Sequence, residues 1–380
     1  MNNKTIIRAA YPLFLLILSC AYTLTLSAQQ SIFDNPKNTP STFHGINAGA
    51  PIWNGETKLT KYRIYQIAST GTRAIRINFR LDGNKEWTPE LLKKYDIIIR
   101  HAHNARFKIL GLLCNESTPG GQRLWNTTSP SPNNQYVKDF SQNAALLVDR
   151  YKRYIKTWEI WNEPDAWTNI NYRSNPRQAG GTYILPEVFA HMLVQTNLAL
   201  RNNKRGNLIN DYNIKLVTGG LFAHDINNTQ NTAAPYLQSL YNQTTTFNQF
   251  KEKKQTPYPW HILGYHFYID QGKKLNPKKL TSYLDAITKT ARENHDSSLL
   301  LITEFGWPTN PPSEQIQAEN LAATYDIFQQ RNDILGSYWY QWTDEPTQAR
   351  GLIKKNSIQY SKRALDIFRK YCKTKPSNEY

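Results

Sequence analysis

The sequence predicts one domain of the α/β class, a closed (β/α)8 barrel over residues 42–373 of 380. Three observations carry that expectation. Short apolar runs alternate with amphipathic stretches through about eight cycles, the pattern of parallel strands joined by helical crossovers. The runs lack a polar face, as strands covered by helices on one side and by the barrel interior on the other must. A doubly wound open sheet would share both features, but it would carry a glycine-rich nucleotide turn after its first strand. No GxGxxG or GxxxxGKS sequence occurs here. One barrel of this size is expected to use up the chain, with no appended module.

The first strand is expected over 42–47, a helix over 59–68 and the second strand over 73–79. The next helix has a clear start. Thr88 is placed to cap it, Pro89 fills the first helical position, where no amide partner is needed, and Glu90 suits the positive end. Leu91, Tyr95, Ile98 and Ile99 then recur on one face. Strand three follows at 107–113, a helix at 134–154 and strand four at 156–161. After a long polar loop, 165–185, come a helix at 188–201, strand five at 214–219 and strand six at 261–268. The remaining cycles are a helix at 278–294, strand seven at 299–304, a helix at 313–330, strand eight at 334–340 and a helix at 361–373. In such a barrel the loops 115–134 and 165–185 leave the C-terminal ends of strands, where a cleft is built.

Residues 1–28 read as an export signal. Lys4 and Arg8 precede the apolar centre 13–18, and Leu26-Ser27-Ala28 offers a small residue for cleavage. Two alternatives are an uncleaved membrane anchor, since 9–26 is mostly apolar, and lipidation at Cys20. A secreted, periplasmic or cell-envelope location is therefore expected. Residues 29–41 form an irregular lead-in and 374–380 a tail.

Beyond the signal only Cys114 and Cys372 remain, one at a strand end and one on the last helix, so two free thiols are expected. No spacing suits a metal ion. His101 and His103 lie two apart in a helical stretch and face different ways. No metal or organic cofactor is expected, and the chain is read as a monomer. The formal charge of +17, with Lys354, Lys355, Lys362, Arg363, Arg369, Lys370, Lys373 and Lys375 crowding the end, either solvates a surface or attracts a polyanion such as an acidic polysaccharide. No nucleic-acid module accompanies the charge, so nucleic acid is not an expected partner.

Two phrases carry chemistry. Trp158-Glu159-Ile160-Trp161-Asn162-Glu163-Pro164-Asp165 ends the fourth apolar run, and Leu299-Leu300-Leu301-Ile302-Thr303-Glu304-Phe305-Gly306-Trp307-Pro308 ends the seventh. Each is a strand-like run closed by a glutamate and a turn residue. In a barrel all strands aim their C-terminal ends at one face, so Glu163 and Glu304 can meet although 304 − 163 = 141 residues separate them. Two facing carboxyls, one protonated and one ionised, are what cleavage of a glycosidic bond needs. Asn162 offers an amide to a sugar hydroxyl, and the tryptophans offer flat faces to a pyranose ring. Glu159 shares strand parity with Glu163 but lies too early to reach the rim, and Asp165 lies beyond Pro164.

The phrases WEIWNEPD and TEFGWPT resemble the clan A glycoside hydrolases, most of all family 39 and its relatives. The resemblance runs from about residue 43 to 344 and is weak outside the motifs. It implies a retaining double displacement on a carbohydrate substrate, with Glu163 as acid and base and Glu304 as nucleophile. It further implies that Tyr268, with His266 beside it on strand six, hydrogen-bonds the nucleophile. An arginine on strand two has the same association. Here Arg76, between Ile75 and Ile77, is too costly to bury unpaired, and Glu304 is its natural partner. Arg73 and Arg80 compete from the strand's two ends. The resemblance places an aromatic sugar floor at 336–344; the family pattern has one tryptophan before the aspartate and this chain has two, so Trp339 and Trp342 both stand as candidates. Trp307 is a further subsite candidate, and His44 and Asn47 on strand one are candidates to touch substrate, although a lone strand-end histidine is more often structural. The same glutamates would serve a transglycosylase, and a non-catalytic polysaccharide-binding or envelope protein is the third reading.

Overall fold

The computed structural model describes residues 42–127, 134–224, 233–355 and 357–373. The expected signal or anchor, Cys20, the lead-in 29–41 and the tail 374–380 lie outside the described residues. Among the described residues no helix is long and apolar enough to cross a membrane.

Eight strands, β1 (His44–Asn47), β2 (Ala74–Phe79), β3 (Lys108–Leu113), β4 (Thr157–Asn162), β5 (Lys215–His224), β6 (Ile262–Tyr268), β7 (Leu299–Phe305) and β8 (Ile334–Trp339), close into one barrel. Every neighbouring pair is parallel, and β8 returns to β1. The (β/α)8 barrel is therefore the observed fold. Helices α1 (Lys61–Ala68), α2 (Pro89–Asn104), α3 (Gln135–Tyr151), α4 (Pro186–Arg201), α5 (Ala233–Tyr241), α6 (Thr244–Lys254), α7 (Pro277–Glu293), α8 (Glu314–Gln329) and α9 (Arg363–Cys372) connect them or follow the last.

The local signals act as chemistry requires. Thr88 accepts a hydrogen bond from the Leu91 amide, Pro89 opens α2, and the helix buries Leu91, Tyr95, Ile98 and Ile99. Two helices, α5 and α6, lie in a stretch where the sequence suggested none. Helix α6, TTTFNQFKEKK, buries only Phe247 and Phe250, too few apolar residues to show a helical period. Strand β5 also runs past the expected residue 219, to His224.

The main core lies between sheet and helices, with Trp158 and Ile160 facing it from β4. A second cluster, Ala74, Leu110, Val217, Leu301 and Tyr338, comes from five different strands and fills the barrel itself. Above that plug the inward positions turn polar: Arg76 follows Ala74 on β2, and Thr303 follows Leu301 on β7. Cys114 and Cys372 are free and buried. His44 is buried too, touching Ser337 at 3.3 Å and the Tyr325 ring, and burial lowers its pKa to about 3, so it is a neutral core group.

Candidate active site

The C-terminal strand ends surround an open cleft of about 640 Å³, with Glu163 and Glu304 on its floor. At the end of β4 alternation breaks. Trp161 and Glu163 both take the left-handed backbone conformation, at φ 77° and 45°. For residues with side chains this is uncommon and strained by ~1–3 kcal/mol each. The twist turns Trp161 out against Trp125 and Phe140 and leaves Asn162 and Glu163 both on the cleft.

Arg76 is the hub beneath them. Its Nε donates to Glu159 at 2.6 Å, its Nη2 to the Asn162 side chain at 3.1 Å, and its Nη1 pairs with Glu304. Glu304 also accepts from Asn47 Nδ2 at 3.0 Å and from the Tyr268 hydroxyl at 2.8 Å. Glu159, fully buried, accepts from the Thr303 hydroxyl at 2.7 Å and the Gly220 amide at 3.0 Å. A Cβ at residue 220 would run into the His266 ring, so glycine there makes room for that imidazole.

His266 joins the two halves. Its Nε2 lies 2.8 Å from Thr303 Oγ1 and its Nδ1 lies 3.0 Å from Glu163 Oε1. The hydroxyl proton of Thr303 goes to the acceptor-only carboxylate of Glu159, so Nε2 must carry a proton to give to Thr303. Burial opposes a charged ring, but the charge of Glu304, the Glu159 carboxylate 3.7 Å away and the bond to Glu163 outweigh it and raise the His266 pKa to about 9. Burial likewise opposes charge on Glu159, yet Arg76 and His266 hold it down to about 2. Burial is also the largest influence on Glu163, and here it raises the pKa. His266 works against that rise and the Glu304 charge adds to it.

One oxygen of Glu163, one of Glu304 and a nitrogen of His266 lie within 4.8 Å of one another. That trio has the ligand types of a cation site. Its donors are already engaged, however: Glu304 by Arg76, Asn47 and Tyr268, and His266 by hydrogen bonds at both nitrogens.

The structure thus brings Glu163, Glu304, Asn162, Arg76, His266 and Tyr268 together. It does not bring the tryptophans. Trp307, Trp339 and Trp342 are 0%, 0% and 1% exposed, and none lines the cleft, so the expected floor of indole rings is corrected. Trp307 donates to the Ile269 carbonyl and Trp339 to the Arg350 carbonyl, bracing loops behind the wall. Trp158 and Trp161 are equally buried. The aromatic surfaces that do line the cleft are Tyr268, Tyr340, Phe222 and Trp53. Of these, Tyr340 lies next to Trp339, within the aromatic stretch 336–344. Arg73 bonds the Ala68 and Thr72 carbonyls at the opposite end of β2, while Arg80 reaches the rim and pairs with Glu116 at 3.1 Å.

No family model matches the chain, and no curated protein sequence does either. Solved structures do share its fold. An endo-β-1,4-glucanase from Xanthomonas axonopodis pv. citri superposes with a TM-score of 0.56 at 16% identity, over 87% of this chain and 99% of that one. A β-glucosidase from Thermotoga maritima in complex with azafagomine gives 0.59 at 13% identity, over 89% and 98%. An endo-β-1,4-mannanase from Thermotoga petrophila gives 0.55 at 12% identity, over 89% and 77%. At such identities the likeness is one of fold, and these neighbours are (β/α)8 barrels whose names are those of glycosidases.

Proposed function

We propose that the protein is a retaining glycoside hydrolase of the clan A type, nearest to family 39 in its strand-end phrases, exported by its N-terminal segment and acting on an oligo- or polysaccharide. Glu163 is the acid and base, and Glu304 the nucleophile. The observation that carries this reading is two glutamates with oxygens within 4.8 Å across one cleft, in opposite surroundings. Retaining enzymes hold their carboxyls roughly 5–5.5 Å apart, whereas inverting ones leave roughly 6.5–9.5 Å for a water.

Charge balance supports the roles. The floor holds two cations, Arg76 and His266, and two anions, Glu159 and Glu304. It is neutral when Glu163 carries a proton, the state in which an acid meets its substrate. Attack by Glu304 on the anomeric carbon makes an ester and removes one negative charge. Glu163, having given its proton to the leaving oxygen, becomes the second anion and restores neutrality. Its ionised form is then the base that deprotonates water to release the sugar with net retention.

The test uses residues 29–380, wild type and Glu304→Gly, on a panel of aryl glycosides and polysaccharides with and without azide. Wild type should cleave a member of the panel. The variant should fall to background and recover with azide, giving a glycosyl azide of inverted configuration. A Glu304→Gly protein that keeps its activity without azide would sink the assignment.

A further inference from the structure

Three arginines line the cleft: Arg76, Arg80 and Arg350. The first pairs with Glu159 and Glu304, the second with Glu116. Arg350, among the described residues, meets only amides. Its Nε and Nη2 donate to Gln271 Oε1 at 3.2 and 2.8 Å, and its Nη1 donates to Gln348 Oε1. Glu345, the acid on the same loop that also lines the cleft, accepts from the Tyr340 hydroxyl at 3.1 Å instead.

This cation is fixed in place. Gln271 Nε2 is tied to the Gly306 carbonyl at 3.0 Å, which turns the amide oxygen toward Arg350. Trp339 donates to the Arg350 carbonyl at 3.1 Å, and the guanidinium lies 4.9 Å from the centre of the Tyr268 ring. The hydroxyl of that tyrosine holds Glu304. Arg350 is thus one ring away from the reacting carboxylate.

Amide oxygens orient a guanidinium without neutralising it, so this partly buried cation keeps its charge for a ligand in the cleft. Of its five N–H donors three are used, leaving one on each terminal nitrogen. That planar fork matches the two coplanar oxygens of a carboxylate. We propose that Arg350, oriented by Gln271, determines specificity by binding the carboxylate of a uronic-acid unit, seated at the reacting position or joined directly to it. The inference rests on the hydrolase reading for the site, but it concerns recognition.

The test is calorimetric binding to the Glu163→Gln protein of matched oligosaccharide pairs: cello-oligosaccharides and their C6-oxidised forms, β-1,4-mannan and mannuronate oligomers, galactan and galacturonate oligomers. At least one acidic member should bind tenfold or more tighter than its neutral partner, a difference of ~1.4 kcal/mol. Arg350→Met in the same background should erase that preference while moving the neutral member less than about threefold, and Arg350→Lys should restore part of it, since it keeps the charge and loses the fork. Absence of any acidic preference overturns the proposal. So does a preference that survives Arg350→Met, which would belong to the overall +17 charge. Tighter binding of sulfated galactan oligomers than of galacturonate would overturn the carboxylate in favour of a sulfate. Charge-selective binding without turnover by wild type would defeat the hydrolase reading and leave this one standing; turnover without charge selection would do the reverse.

Discussion

The floor of the cleft and its rim use the same residue types in opposite ways. On the floor, Arg76 and His266 face Glu159, Glu163 and Glu304, and each charge has an opposite within reach. On the rim, Arg80 divides itself between the Trp53 ring at 4.4 Å and Glu116, and among the described residues Arg350 meets no acid. Floor residues sit on strands or, for Glu163, one residue past a strand end, where the barrel fixes the spacing. Rim residues sit largely on loops, which differ without disturbing the barrel. A fixed floor suits chemistry that many substrates share, and a variable rim suits choosing among them.

The sharpest way to break that comparison is to remove one arginine from each region. Arg76→Met strands two carboxylates in a buried site, and breaking such a pair costs ~3–5 kcal/mol. Arg80→Met frees Glu116, whose side chain is 36% exposed, so water replaces much of the loss and the cost is ~1 kcal/mol or less. Urea unfolding of the two variants checks this directly. Equal losses would mean that floor and rim are not energetically distinct.

A second test uses pH. His266 has its folded pKa raised to about 9 from the ordinary 6.5, so the folded state binds its proton more tightly than the unfolded chain does. Its contribution, ~3 kcal/mol for a shift of this size, is fully present below pH 6.5 and is lost as pH rises through 9. Glu159, held down to about 2, behaves oppositely: its contribution is present above pH 4.5 and lost as pH falls toward 2. The stability gap between wild type and His266→Gln should therefore narrow between pH 6.5 and 9. A gap that stays constant across that window would mean the imidazole is neutral when folded.

The floor was largely legible in the sequence because a charge inside an apolar strand has few explanations. Arg76 between two isoleucines and Glu304 at the end of a leucine run each demanded a partner, and the barrel supplied it. Glu159 was seen as too deep for the rim, and it is; its use as the counter-ion that links Arg76 to Thr303 and His266 needed the neighbouring strands to be in register. Asn47 was read as a candidate substrate contact on strand one, and its bond to Glu304 crosses from β1 to β7. The tryptophans misled for a physical reason. An indole near a site serves core or cleft equally well, and which one depends on helices packed behind it, as Trp125 and Phe140 are behind Trp161. The rim was barely legible. Gln271, Arg350 and Trp53 lie in loop or hairpin stretches without periodicity, and nothing local says which of many surface arginines turns inward.

The smallest expected effect probes the rim at the hairpin that follows β1. Trp53 sits on a short hairpin, Ile52–Trp53 paired with Glu56–Thr57, and is the large aromatic of the cleft that stays exposed, at 48%. Arg80 braces its ring, and Arg80 is braced in turn by Glu116. A backed, half-exposed indole on a cleft wall provides a face for a sugar unit, and its removal costs ~1 kcal/mol, close to the value of a single aromatic contact. Trp53→Ala should therefore raise KM for a long oligosaccharide about fivefold and leave kcat unchanged, because the contact is the same in ground and transition states. A one-sugar aryl glycoside, which offers no second sugar unit to the hairpin, should show no change in either constant. A fall in kcat on the short substrate would place Trp53 within the chemistry and erase the line between floor and rim on that side of the cleft.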